Sequence, residues 1–222
     1  MIILFGTTFL GKVDKIEEQW IETNFFYLFV PLFPVSSMLV TSSEFRRRHG
    51  MKVALNTKSV IAGYARVYLF LLSAYLIWLN WVIAVNSFGP FAIRYDFFFF
   101  LMLAAVASWI YFMFFFGRPK DIDVKVRKKI ATCTGLYALP EWFDYYESEQ
   151  FLKKYLHSYQ QMYPDADWKK DLESAHLPEE KHQHLYALAL FNCMTFGSDE
   201  DAELYYKADR IYMEDKNREN RN

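Results

Sequence analysis

Val67–Val85 and Phe97–Phe116 contain no Asp, Glu, Lys, Arg or His. Wound as helices at about 1.5 Å per residue, each reaches roughly 30 Å, the thickness of a bilayer's hydrocarbon core. The two stretches predict a transmembrane helical hairpin, and the rest of the chain has to be arranged around it. The expected fold class is a membrane α+β protein, with a small N-terminal β module, a two-helix hairpin and a C-terminal cytoplasmic α-helical bundle. By residue, 1–56 is a β-rich membrane-proximal module and 57–117 the hairpin, with spans at about 67–85 and 97–116. Residues 118–129 form a basic juxtamembrane linker, 130–215 an acidic helical domain, and 216–222 a polar tail. The opening Met1–Gly6 has no basic n-region and too short an apolar run for a signal peptide, so the first span is expected to be an uncleaved anchor.

Charge gives the orientation. Arg46, Arg47, Arg48, Lys52, Lys58 and Arg66 precede the first span, and Arg118, Lys120, Lys125, Arg127, Lys128 and Lys129 follow the second. The intervening loop, Asn86 to Asp96, carries only Arg94, offset by Asp96. Basic residues of short loops stay in the cytoplasm, so both termini are expected there, in a bacterial inner membrane. Residues 130–222 hold 10 basic and 18 acidic side chains, and an acidic head behind a basic collar argues against a nucleic-acid partner. Arg46, Arg47, Arg48, Lys125, Arg127, Lys128 and Lys129 would set topology or meet anionic lipid headgroups.

Within the spans, Ser73 and Asn80 are seven residues apart and share one helix face. Ala104, Ala105 and Ser108 put small residues on the second helix. Ser73, Asn80, Ala104 and Ser108 are the expected helix–helix contacts, because small residues allow close approach and Asn or Ser can bond across. Neither span carries an ionisable residue for a proton relay.

Residues 1–56 read as short strands at Ile2–Phe5, Phe9–Val13, Gln19–Thr23, Phe25–Val30, Met38–Thr41 and Lys52–Leu55, punctuated by Gly, Asn and Pro. The apolar Phe25–Val40 contains Pro31 and Pro34, so two strands joined by a Pro-containing turn are expected there rather than a third span. Trp20 to Pro34, with Phe29-Val30-Pro31-Leu32-Phe33-Pro34 at its end, resembles a segment of small uncharacterised bacterial membrane proteins. In those, an aromatic-rich strand runs into an F-x-P-L-F-P turn and a further strand. Many of them flank it with paired CxxC knuckles resembling a zinc ribbon. No cysteine precedes Cys133 here, so the resemblance implies the module type without the metal, and structural roles for Trp20, Pro31 and Pro34.

After Asp123 the apolar spacing is helical, with breaks at Pro140, Pro164, Pro178 and Gly197 and a capping box at Ser198 and Asp201. The last helix pair loosely resembles one tetratricopeptide unit, without a second copy. His176, His182 and His184, with Glu179 and Glu180, form the one cluster of metal-ligand type, but an HxH pair on a helix diverges. There is no phosphate loop, GxSxG or cysteine-nucleophile context, and Cys133 and Cys193 fit no redox motif. The expectation is a non-enzymatic membrane adaptor or accessory subunit, without cofactor or metal. Its helical domain would dock a protein partner in an envelope complex or assemble as a homo-oligomer. The alternative is a pathway-forming subunit of a transporter or secretion complex, with Ser73, Asn80 and Ser108 facing the conduit.

Overall fold

The structure is a computed structural model that describes residues 5–44, 47–86, 92–174 and 178–219. It divides into two compact units, Met1–Asp121 and Ile122–Asn222.

The first unit opens with an antiparallel four-stranded meander, ordered β1 (Phe5–Ile16), β2 (Gln19–Leu28), β3 (Val30–Glu44) and β4 (Arg47–Val53). These strands are longer and fewer than the short ones expected. Asn24 does not interrupt β2, and both prolines lie inside β3. Pairing explains how. β4 covers β3 only from Ser37 to Glu44, so Val30–Ser36 is an outer edge where no ladder donor is required. Pro34 faces Phe25 and Pro31 faces Tyr27, each next to a register shift that absorbs the kink. Phe29 alone connects β2 to β3, at φ 62°.

The sheet is held to α1 (Thr57–Asn86) by close backbone approach and a buried polar cluster. Asn56 caps the helix, its side-chain oxygen accepting from Ser59 N at 2.9 Å. Thr23 Oγ1 lies 2.8 Å from both Ser37 Oγ and Ser59 Oγ, and Ser59 donates to the Gly11 carbonyl at 2.7 Å. Each of these hydroxyls is fully buried and partnered, as buried polar groups must be. Gly11, at φ +75°, leaves no room for a side chain, because an added Cβ would fall 2.0 Å from the Ser59 carbonyl oxygen. Phe25 packs edge-on against Tyr64. Elsewhere on the sheet, Lys12 caps the Trp20 ring at 3.6 Å, and the Trp20 indole donates to Glu22, which pairs with Arg48.

α1 pairs with α2 (Ala92–Phe114). Both are long and apolar enough to span a membrane, and only 17% and 6% of their most apolar windows are buried. That exposure separates them from the core helices of a water-soluble protein, whose apolar residues are covered.

The second unit is helical, with α3 (Asp121–Thr134), a 3₁₀ turn at Pro140–Trp142, α4 (Tyr145–Met162), α5 (Trp168–Glu173), α6 (Glu179–Phe196) and α7 (Asp199–Glu219). The breaks near Pro164, Pro178 and Gly197 fall where expected, but α3 ends at Thr134, where Gly135 takes a left-handed φ of 74°, ahead of the expected break at Pro140. Asp144 and Glu147 form a capping box for α4, Gly197 closes α6 in the left-handed region at φ 63°, and Ser198 exchanges hydrogen bonds with Asp201 to start α7. α6 is the central element, with every residue from Leu185 to Asn192 buried. Phe143, Phe151 and Tyr155 pack on its Phe191. Two domain boundaries also differ from expectation. Most of the presumed linker 118–129 is the body of α3, with Ile130 fully buried, and α7 continues into the presumed tail, which lacks Gly or Pro to stop it.

Candidate functional site: the seam of the apolar helix pair

Along α1, the less exposed positions recur as Ser59, Ala62, Arg66, Leu69, Ser73, Leu76, Asn80 and Ile83. The alternating three- and four-residue steps are the heptad pattern by which helices keep one seam in contact. On α2 the matching positions are Phe98, Met102, Ala105, Trp109 and Phe112. Two polar side chains fix the antiparallel register. Asn80 Nδ2 donates to the Phe98 carbonyl at 3.1 Å and to the Leu76 carbonyl of its own helix at 2.8 Å. Arg66 Nε donates to the Phe112 carbonyl at 2.9 Å. Midway between these ties, the register brings Ser73 opposite Ala105, and both are nearly fully buried. Two small residues at the crossing let the backbones approach.

The seam is not fully satisfied. Ser73 Oγ and Asn80 Oδ1 are buried without a hydrogen-bond partner among the described residues. Ala104 and Ser108, expected on the contact face, are exposed instead. The contact stripe runs through Ala105, one residue over from Ala104, so Ser108 lies outside it and shares no face with Asn80.

At the base of the pair a second polar node ties three segments together. Lys58 Nζ donates to the Asp14 carboxylate and, at 2.7 Å, to the Arg118 carbonyl. The Asp14 amide donates to the Gly117 carbonyl at 2.7 Å. An added Cβ at Gly117 would meet Arg66 Nη2, the Lys12 carbonyl and Val13 within 3.3 Å. Asp14 holds φ 52°, a left-handed conformation that Asp tolerates better than most residues. Neither Lys58 nor Arg66 was expected to hold the fold together. The heptad spacing from Ser59 onward was the signal for Arg66, while Lys58 had none in the sequence.

The basic collar separates into two groups. Arg47, Lys125 and Lys128 are exposed, while Arg46 lies outside the described residues. Arg48 pairs with Glu22 at 3.1 Å. Arg127 is 1% exposed, donates from Nε to the Tyr137 carbonyl at 2.7 Å and stacks over Trp142, so its guanidinium is committed to the helical unit's interior rather than to a lipid headgroup. Lys129 pairs with Asp209 above the Tyr186 ring.

Comparison of the chain with protein-family models, curated proteins and solved structures finds no match. Function has to come from the geometry. Among the described residues no group of three or more His, Cys, Asp or Glu side chains could hold a metal ion. His176 is outside the described residues, as is the side chain of Glu179. Cys133 and Cys193 form no disulfide, and burial pushes the Cys193 thiol up. In the helical unit the perturbed groups are tied to packing. Burial raises Tyr155 to about 12, and hydrogen bonds from Lys181 and Tyr159 hold Asp171 below the usual carboxylate range.

Proposed function

We propose that this chain is an integral inner-membrane protein, non-enzymatic, acting as an adaptor or accessory subunit. The helix pair anchors it with both ends in the cytoplasm, anionic lipids meet the exposed Arg47, Lys125 and Lys128, and the acidic helical unit docks a protein partner. One observation carries the reading: α1 and α2 present long apolar surfaces that nothing in the unit covers, while Ile122–Asn222 has a core of its own. Uncovered apolar surface on that scale calls for a lipid surrounding. The distribution of basic residues supports the orientation.

A second reading, a pathway-forming subunit, is favoured by the unpartnered Ser73 Oγ and Asn80 Oδ1 in the seam. Two helices enclose no conduit, so that reading requires a homo-oligomer.

Cysteine labelling in intact cells tests the anchor. With Cys133 and Cys193 replaced by Ser, Ser87→Cys should react with an impermeant thiol reagent from outside and Ser42→Cys should not. Labelling of neither or the reverse pattern contradicts the topology. Mild-detergent extraction of the full chain then separates the two roles: a partner at fixed stoichiometry supports the adaptor, and a ring of identical chains supports the pathway.

A further inference from the structure

The β2–β3 hairpin has an apolar tip with large exposed side chains. Phe29 is 75% exposed at the turn, Phe33 and Val35 are each 54% exposed, and Leu28, Leu32 and Phe5 surround them with large exposed surfaces. From Thr23 to Ser43 the chain contains no Asp, Glu, Lys, Arg or His. Charge returns at both roots of the hairpin, with Glu22 and Glu44. This is a hairpin polar at its base and apolar at its tip.

Two hydrogen bonds place the tip along α1. Tyr64 donates to the Leu32 carbonyl at 2.8 Å, and Tyr68 to the Pro31 carbonyl at 2.9 Å. Tyr68 already lies within the charge-free stretch of the helix. The tip therefore sits beside the start of the apolar band, on the side of α1 where Tyr68, Leu71, Leu72 and Tyr75 are exposed. The same bonds satisfy two carbonyls of β3 along Val30–Ser36, the segment that β4 leaves unpaired. A strand edge with free peptide groups is excluded from hydrocarbon but tolerated where headgroups and water reach it. The two tyrosines are themselves side chains of the interfacial type.

We propose that the β2–β3 tip is a second membrane device. It inserts Phe29, Phe33 and their neighbours into the headgroup–acyl boundary of the leaflet at the base of the helix pair. The occupant of this surface is lipid, and the tip goes no deeper than the boundary because its edge carries peptide groups. The inference rests on the helix pair spanning the bilayer. Such a wedge fixes the rotation of the anchor about its axis as well as its depth, and aromatic groups buried about 5–10 Å into the boundary are the usual means of interfacial attachment.

The test uses the full chain with Cys133→Ser and Cys193→Ser, reconstituted in vesicles of phosphatidylethanolamine and phosphatidylglycerol. An environment-sensitive fluorophore is attached at Phe29→Cys or Phe33→Cys, with Ile77→Cys as a lipid-facing reference on the helix pair and Ser42→Cys as an aqueous reference. Labels at 29 and 33 should lose most of their emission to lipids carrying a doxyl group near the headgroup end of the acyl chain. They should be less affected by a doxyl group deep in the chain, and protected from aqueous iodide. The Ser42→Cys label should respond to iodide alone. Iodide quenching at 29 and 33 with doxyl quenching intact at 77 overturns the wedge and leaves the spanning pair standing. Loss of doxyl quenching at 77 as well overturns both. A blue-shifted label at 29 and 33 that neither quencher reaches signals burial against a second copy, and also overturns the wedge.

Discussion

The Asn80 side-chain amide donates across the helix pair to the main-chain carbonyl of Phe98, 3.1 Å away. Replacing it by Leu removes that bond and the unpartnered Oδ1 together. The expected cost is about 1 kcal/mol or less, the scale of polar contacts between membrane helices. Reversible unfolding of the full chain in detergent measures it, and abundance in the membrane should be unchanged. In an adaptor, Asn80→Leu keeps partner copurification at the wild-type ratio. In a pathway subunit it abolishes function without affecting assembly.

Lys58 is the more consequential polar residue. Lys58→Met leaves the Asp14 carboxylate, of which 13% is exposed, without its ammonium partner, and frees the Arg118 carbonyl. Charge-assisted bonds of this kind are worth about 2 kcal/mol, and the first unit should lose that much. Asp14→Asn combined with Lys58→Met should cost less than the sum of the single changes, because the two act as one pair. Additive losses in a double-mutant cycle would rule out the coupling.

Gly11 and Gly135 share the left-handed region, at φ +75° and +74°, but differ in surroundings. A Cβ at Gly135 meets nothing within 4 Å, so Gly135→Ala should cost only the conformational penalty, about 1 kcal/mol. At Gly11 the Cβ collides with backbone, and Gly11→Ala should cost at least about 3 kcal/mol or separate the sheet from α1. Denaturant midpoints of the two variants give the comparison directly.

The helical unit should be acid-sensitive. Hydrogen bonds from Lys181 and Tyr159 lower Asp171. Burial pushes Asp201 up, but hydrogen bonds from Ser198 and Asn192 outweigh it, and its net shift is also downward. A carboxyl whose folded pKa lies below its unfolded value contributes stability at pH above the unfolded value, about 4. That contribution disappears as pH falls through the lower folded value. Thermal melts of the helical signal should hold between about pH 7 and about pH 5 and then drop, and Asp171→Asn should reduce the drop.

The helix pair and most helix ends were legible because length, charge exclusion and Pro or Gly breaks act locally; the end of α3 was not, because Gly135 stops it ahead of Pro140. The β module was legible as strands but not in their lengths. Pro31 and Pro34 break a central strand, and only the short reach of β4 makes their part of β3 an edge. The face of α2 was misread by one residue because Ala104 and Ala105 are chemically alike, and the choice between them depends on a register set by Asn80 and Arg66 on the other helix. Arg127 and Lys129 were grouped with the collar since sequence records charge but not burial. Their partners, the Tyr137 carbonyl and Asp209, are fixed only by tertiary structure.

The node at Lys58 also sets an order of events during synthesis. Its partners are Asp14, made well before it, and the carbonyl of Arg118, which follows the whole helix pair. The amide of Asp14 likewise waits for Gly117. The meander can pair its strands as soon as β4 has emerged, and Asp14 can meet Lys58 soon after, but the bonds to the carbonyls of Gly117 and Arg118 wait until α2 has been completed. Closure of these two bonds therefore reports that the second helix is complete, and a chain arrested before residue 117 would hold the Asp14–Lys58 pair without either carbonyl.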